Sequence, residues 1–440
     1  MPLSRRRFFS TATAGIAAGA LAPVLAYPAT RDDFDPHDWA SVRRQFNLDS
    51  TYAHLGLFYL ASHPRPVRAA VDANRTKLDA NPLLTVEHRM FGAPEEHYPT
   101  KVCAAIASYG GVNAEDIALT QNTTMGLALL YHGLPLGPND EILTTNHDHF
   151  VHHEAIRLST ERNGASWRRI PLFDSYDSIS ADGMVDRIKA AIKPNTRVVG
   201  VTWVHSASGL RLPIRRIADA IAEVNASRDE KHRVLLIVDG VHGIGVENEK
   251  IADLGADAFS AGLHKWIFAP RGTGFVWAKP SVWATMRPLI PSFTSFNLFE
   301  SWGAGKLPEG PPRADWFSPG GFQAFEHYWA VPAAFEFHER IGRQRIADRI
   351  HALNQQMNEG LRKMAHVNVY TPRERALNAG MVCFDVKGVP QNAVVERLMN
   401  RNKVLGSTTP YAVSYARLSC GIMNTEQEVE RALAGVRAMG

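Results

Sequence analysis

The sequence predicts a two-domain α/β protein, a largely parallel sheet wrapped by helices and followed by a smaller α+β unit. Three observations carry this. Short β-branched runs alternate with longer helical patterns through most of the chain, as in successive βα units. A length of 440 residues exceeds what a single core holds, since cores stop growing at roughly 250–300 residues. Polar residues also gather just past the ends of successive apolar runs, where open α/β sheets bind their ligands.

Composition narrows the class further. With 45% hydrophobic and 21% charged residues the chain is globular, neither disordered nor fibrous. Three well-separated cysteines, Cys103, Cys383 and Cys420, support neither a disulfide framework nor a CxxC metal site. The formal charge is +4, and three arginines in residues 1–29, with no acidic residue beside them, account for three of it. The remaining +1 gives no electrostatic case for nucleic acid or an anionic membrane.

Residues 1–29 read as an export signal of the twin-arginine type. Ser4-Arg5-Arg6-Arg7-Phe8-Phe9 precedes an Ala/Gly-rich stretch and small residues at Ala26 and Ala29, either of which suits cleavage. The stretch is too short for a comfortable membrane span, and no other segment reaches ~18 apolar residues. The expected location is therefore the periplasm, reached through the twin-arginine machinery as a folded protein without a membrane span. Cofactor insertion in the cytoplasm is a reason for folding before export, because a bound ligand stabilises only the folded state.

The elements then follow in order. Residues 30–60 are expected to pack on the small domain, 61–300 to form the large domain and 301–440 the small one. Residues 116–120 read as a strand leading through Gln121-Asn122-Thr123-Thr124 into a helix over 125 to about 131. Strands at 141–145, 197–204, 234–238 and 256–260 end in Asn146-His147-Asp148-His149, His205-Ser206, Asp239-Gly240-Val241-His242 and Gly262-Leu263-His264-Lys265. A sixth strand covers 274–278. Residues 293–321, rich in Gly, Pro and aromatics, read as an ordered lining segment. Long helices follow over 325–363, with short strands at 367–370, 380–386 and 415–419.

Lys265 sits in an otherwise apolar run, 263–269. It reads either as an exposed lysine whose stem covers apolar neighbours or as a desolvated Schiff-base lysine. Asp239 ends the most apolar strand, where a buried carboxylate calls for a cationic partner. A protonated pyridine nitrogen would be such a partner and would make the ring an electron sink; a helix cap or a salt bridge to Arg271 or Lys265 is the plain alternative. His242 suits a ring hydroxyl or a structural hydrogen bond. Thr123 and Thr124 open a helix, forming an anion site or an ordinary cap. His149 offers a flat face over a ring. Zinc at His147, His149, His152 and His153 is a weak reading, because their spacing lacks cysteine or carboxylate partners.

Taken together, Asn122-Thr123-Thr124-x-Gly126-Leu127, Asp239-x-x-His242 and His264-Lys265-Trp266-x-x-x-Pro270-Arg271-Gly272-x-Gly274-Phe275 resemble the class V aminotransferases. These are fold-type I pyridoxal-phosphate enzymes, and the likeness is greatest to their isopenicillin N epimerase-like branch. The resemblance implies a large domain with a seven-stranded, mostly parallel sheet and pyridoxal 5′-phosphate as cofactor. It implies that Lys265 forms the internal aldimine and shuttles protons, Asp239 pairs with the pyridine nitrogen, and His242 and Ser206 contact the ring hydroxyl. His149 would stack on the ring, while Thr123, Thr124 and His264 hold the phosphate. Ala416-Arg417-Leu418-Ser419 with Asn424-Thr425-Glu426 is similar to the family's carboxylate-binding motif, so Arg417 would grip a substrate carboxylate; a surface strand arginine is the alternative on residue grounds. Gly320-Gly321 falls where a Gly-Thr pair reaches the partner subunit's phosphate, which implies a homodimer with shared sites.

The departures matter too. His54 replaces an early Asn of the family pattern, which implies a reshaped substrate pocket. The Thr of the Gly-Thr pair is missing. Residues 401–416 contain no cysteine, which speaks against a cysteine-persulfide mechanism. Export of such an enzyme resembles the periplasmic pyridoxal-phosphate enzyme of pyoverdine siderophore maturation. The expected activity is thus aldimine chemistry on the amino group of an amino acid or peptide, with epimerisation or C–S lysis as alternatives, and a catalytically silent cofactor-binding protein as a remote one.

Overall fold

The computed structural model describes residues 34–93 and 95–440; the expected export signal lies outside them. Seven strands form one sheet in the order Ile117–Thr120, Gly274–Ala278, Ala258–Gly262, Leu235–Asp239, Thr196–Thr202, Glu141–Thr145, Ser166–Ile170. Five neighbours pair in parallel, and Gly274–Ala278 runs antiparallel to both of its partners. Ile117–Thr120 therefore points the same way as the parallel strands, and six of the seven carboxyl ends lie along one edge.

Side-chain alternation builds two cores from these strands. Val199, Val201, Leu236, Val238 and Phe259 face one core, while Val198, Ile237, Ala258 and Val276 face the other. Burial on both faces explains why the central strands read as continuous apolar runs. Ser166–Ile170 was missed for the opposite reason. It is an edge strand, half exposed along its length, and Arg168 pairs with the buried Glu141 at 3.1 Å, as a charged edge does. Helix Thr123–Gly133 lies close against the sheet because residue 126 is glycine: a Cβ there would stand 2.1 Å from Ser260 Oγ.

The second unit holds a four-stranded antiparallel sheet, Ser407–Thr408, Ala416–Leu418, Val382–Val386 and Val367–Val369. Its core includes Leu353, Met357 and Leu361, whereas Ile346 and Ile350 of the same helix, Arg343–Arg362, pack in the first core. The change of core thus falls inside one helix, beyond the change of texture near residue 300. Ala53–His54 pairs in parallel with Val404–Leu405, and Arg43 bonds Glu428 at 2.7 Å. Phe34, Val42 and Phe46 pack instead in the first core, so the N-terminal segment bridges both units. Among the described residues, no helix is long and apolar enough to cross a membrane.

Candidate active site

A cavity of about 370 Å³ opens where the strand ends meet the second unit. Lys265 enters it from the 263–273 loop, which links the antiparallel neighbours Ala258–Gly262 and Gly274–Ala278. Hydrogen bonds from Leu263 N to Thr273 O (2.9 Å), Ala269 N to Leu263 O (3.1 Å) and Phe268 N to Lys265 O (3.2 Å) tie the loop into a tight coil. Phe268 adopts φ +62°, a strained conformation costing about 1–3 kcal/mol, and Phe46 packs edge-on against its ring at 5.1 Å.

Burial pushes the Lys265 amine down to about 8, against the opposing pull of Asp239. Its Nζ stands 3.0 Å from His242 Nε2, and the indole N–H of Trp266 donates to His242 Nδ1 at 3.2 Å. Asp239 lines the same cavity, 4% exposed. Its side chain accepts from Val241 N–H at 3.1 Å, and it makes no salt bridge among the described residues. Burial raises its carboxyl to about 6, so the site favours a cation that would pair with it.

Arg417 reaches in from strand Ala416–Leu418, donating to Ser206 O at 2.7 Å and Ser407 Oγ at 3.2 Å. Its guanidinium lies 4.3 Å from the Phe58 ring centre. An arginine has five N–H donors, which leaves capacity for an incoming carboxylate. Ser206 is held a second time, its Oγ lying 2.7 Å from Tyr411 Oη. Tyr411 also meets the His149 ring edge-on at 6.0 Å. His149 caps helix Phe150–Asn163 through Nδ1, which accepts from Val151 N at 3.3 Å.

The loop bearing His149 is anchored by Asp148, which was not singled out from sequence beyond its place beside His149. Asp148 accepts from Thr144 Oγ1 (2.9 Å), Thr145 N (2.9 Å), Thr145 Oγ1 (2.7 Å) and Thr202 N (2.7 Å). Burial alone would raise its carboxyl, yet His205, His152 and these donors hold it well below the usual carboxylate range. The other histidines of this segment are spent separately: His152 on Tyr131 Oη (2.6 Å), His153 on Thr145 O (2.8 Å), His147 on Leu172 N (3.3 Å).

Asn122 caps helix Thr123–Gly133, its side chain accepting from Met125 N at 2.9 Å. Thr123 Oγ1 accepts from Gly262 N at 2.8 Å, binding the helix start to the lysine loop. The N–H groups of Thr123 and Thr124 find no acceptor among the described residues, so this N-terminus is open to an anion. His264 lines the same region, and its Nδ1 is buried without a partner.

Two expectations fare differently. The His54 ring bonds Asp49 O at 2.9 Å and is not among the residues lining the cavity, because strand pairing with Val404–Leu405 turns it away. Gly320 and Gly321 line a separate cavity of about 640 Å³ with Phe91, His97, Glu300 and Arg313, away from Lys265 of the same chain. Phe58, Tyr59, His205 and Tyr411 line the lysine cavity and were missed. They lie in irregular segments or among ordinary strand-end residues, and no spacing rule marks them.

The family model for class V aminotransferases matches residues 61–432. The chain belongs to the class V aminotransferase family. It is thus a pyridoxal-phosphate-dependent enzyme, and the cavity fits that group on its own terms. The open helix start at Thr123 and Thr124 suits the phosphate, the under-bonded Asp239 the ring nitrogen, and Lys265 the aldehyde. This class V chain is 26% identical over 416 residues to an isopenicillin N epimerase of Amycolatopsis lactamdurans, covering 89% of this chain and 96% of the relative. It is 23% identical over 350 residues to a probable cysteine desulfurase of Vibrio cholerae serotype O1, covering 74% and 78% respectively. Among solved structures, a mutant of the C–S lyase C-DES with glycine covalently linked to its cofactor superposes with TM-score 0.78 at 21% identity, covering 90% of this chain and 99% of that one. An apo cysteine desulfurase of Thermococcus onnurineus gives 0.75 at 20% identity, with 91% and 97% covered.

Proposed function

We propose that this protein is an exported enzyme that binds the amino group of an amino acid or a peptide, a peptidic siderophore among the candidates, and reacts at the adjacent carbon. The observation that carries the reading is the convergence of Lys265, Asp239 and Arg417 on one cavity. When bound, pyridoxal 5′-phosphate supplies an electron sink for a carbanion. The protein's residues do the rest. Lys265 offers a partly neutral amine that would hold the cofactor's aldehyde and would carry a proton at the substrate carbon. Asp239 would keep the ring nitrogen protonated, and Ser206 and His242 would hold the ring oxygen. His149 would face the ring. Thr123, Thr124 and His264 would hold the phosphate, and Arg417 would orient the substrate carboxylate. The arginine-rich leader supports export to the periplasm through the twin-arginine route.

A homodimer is part of the same proposal. Gly320 and Gly321 lie on a surface that also carries Phe322, 72% exposed, with Trp302 at 75% and Leu307 at 87% on the same segment. Apolar side chains left in water on one segment support an interface, through which the glycine pair would reach the partner's phosphate.

Epimerisation is the second reading, favoured by the likeness to isopenicillin N epimerase across most of both chains. Persulfide chemistry is disfavoured, because Cys383 and Cys420 are buried and Cys103 lines the other cavity. The deciding experiment titrates the yellow holoprotein with amino acids and peptides, then follows deuterium entry at the α-carbon with and without a keto-acid acceptor. Exchange without an acceptor indicates epimerisation, and acceptor-dependent turnover indicates amino transfer. A holoprotein whose absorbance no amine changes would remove the proposal.

A further inference from the structure

The protonation state of Lys265 is written in the hydrogen bonds of its neighbour. Among the described residues each ring nitrogen of His242 has one hydrogen-bond partner: Nδ1 faces the Trp266 indole at 3.2 Å, and Nε2 faces Lys265 Nζ at 3.0 Å. An indole N–H can only donate, so Nδ1 must present its lone pair. Burial keeps the His242 ring neutral, with its basicity well below the ordinary value. A neutral imidazole carries one proton, which is therefore on Nε2. That N–H also only donates, and its partner must accept. A lysine amine accepts only as the free base, because an ammonium has no lone pair. An ammonium at this place would set N–H against N–H inside a buried pocket.

We infer that Trp266 is a positioning residue: its indole N–H fixes the tautomer of His242, and through it selects the neutral, nucleophilic form of Lys265. The inference rests on the reading of Lys265 as the lysine that captures the cofactor, and goes beyond it by naming what prepares the amine. The other groups facing Lys265 divide. Asp239 favours the ammonium and the Arg417 guanidinium disfavours it, while burial pushes His149 and His264 down to about 4 and so leaves both rings neutral near pH 7. None of them dictates a direction to the hydrogen bond, as the Trp266–His242 pair does. Trp266 itself is 3% exposed, and its ring edge lies against Gly380, where an added Cβ would meet the indole at 2.9 Å. The indole is thus held from two sides.

The test uses cofactor-free protein. With ¹⁵N-histidine labelling, and His242→Gln to assign the signals, the His242 resonances should show a protonated Nε2 and a bare Nδ1 above about pH 8, where Lys265 is mostly free base. Reductive methylation of Lys265 by formaldehyde and cyanoborohydride, read by peptide mass spectrometry across pH, should have a midpoint near 8 in the wild type. Trp266→Phe keeps an aromatic ring but removes the donor. It should raise that midpoint by about one unit, cutting labelling at pH 7 about tenfold. A wild-type His242 protonated at Nδ1 overturns the inference, as does an unchanged midpoint in a folded Trp266→Phe protein. Should that variant not fold, the tautomer measurement decides alone. A wild type that stays colourless with pyridoxal 5′-phosphate would remove the cofactor role of Lys265, yet would leave both of these readings intact.

Discussion

Asp239→Asn separates the two jobs assigned to the buried carboxylate, because it moves them in opposite directions. The substitution keeps the shape and removes one negative charge. Toward Lys265, that charge favours the ammonium. With the amine at about 8, roughly a tenth of it is free base at pH 7, against about 3 in 10,000 for a lysine at its ordinary 10.5. Without Asp239 the amine falls further, so cofactor capture at pH 7 should quicken, by at most about tenfold before the amine is fully neutral. Toward the ring nitrogen the variant loses one partner of a buried charged pair, worth about 3–5 kcal/mol, or roughly 10²–10⁴ in rate. Stopped-flow absorbance after adding pyridoxal 5′-phosphate reads the first effect. Deuterium exchange at the α-carbon of any amine that bleaches the holoprotein reads the second. Capture that slows in parallel with exchange, or exchange within about threefold of wild type, would refute the assignment.

Lys265→Met should abolish the covalent yellow form yet stabilise the cofactor-free protein at pH 7. The folded-state amine lies near 8 against 10.5 unfolded, so the unfolded chain binds more protons between those values and wild-type stability rises with pH across that window. Denaturant titrations should show a gain of about 1–3 kcal/mol in the variant at pH 7 and no such rise above pH 8. Asp239 gives a second pH signature. With its carboxyl raised to about 6 in the fold, cofactor-free stability should decline from about pH 4 to pH 6, and Asp239→Asn should remove the decline. Thr123→Val removes the acceptor for Gly262 N–H and one anion donor, so the dissociation constant for cofactor should rise about tenfold, measurable by quenching of protein fluorescence. Gly126→Ala sets a methyl 2.1 Å from Ser260 Oγ and should cost about 1–3 kcal/mol in thermal unfolding.

Local patterning alone carried the order of the strands along the chain, the helix start at Thr123, and Lys265 with Asp239 as the pair to watch. Runs buried on both faces announce parallel strands, and a buried charge at the end of such a run stands out against its apolar neighbours. The seven-stranded sheet was legible through the family likeness, and strand Gly274–Ala278 matched its expected bounds. Edge strand Ser166–Ile170 carried no such signal, because one exposed flank frees it from apolar patterning.

Other features belong to the tertiary structure alone. The Trp266–His242–Lys265 chain joins residues 23 and 24 positions apart, and the Tyr411–Ser206 contact joins residues 205 apart. His54 was expected in the site and is turned from it by a two-residue strand pairing. Sequence records which groups a chain possesses, whereas a hydrogen bond depends on which lone pair faces which proton. That is decided only when distant segments pack at fixed distance and orientation.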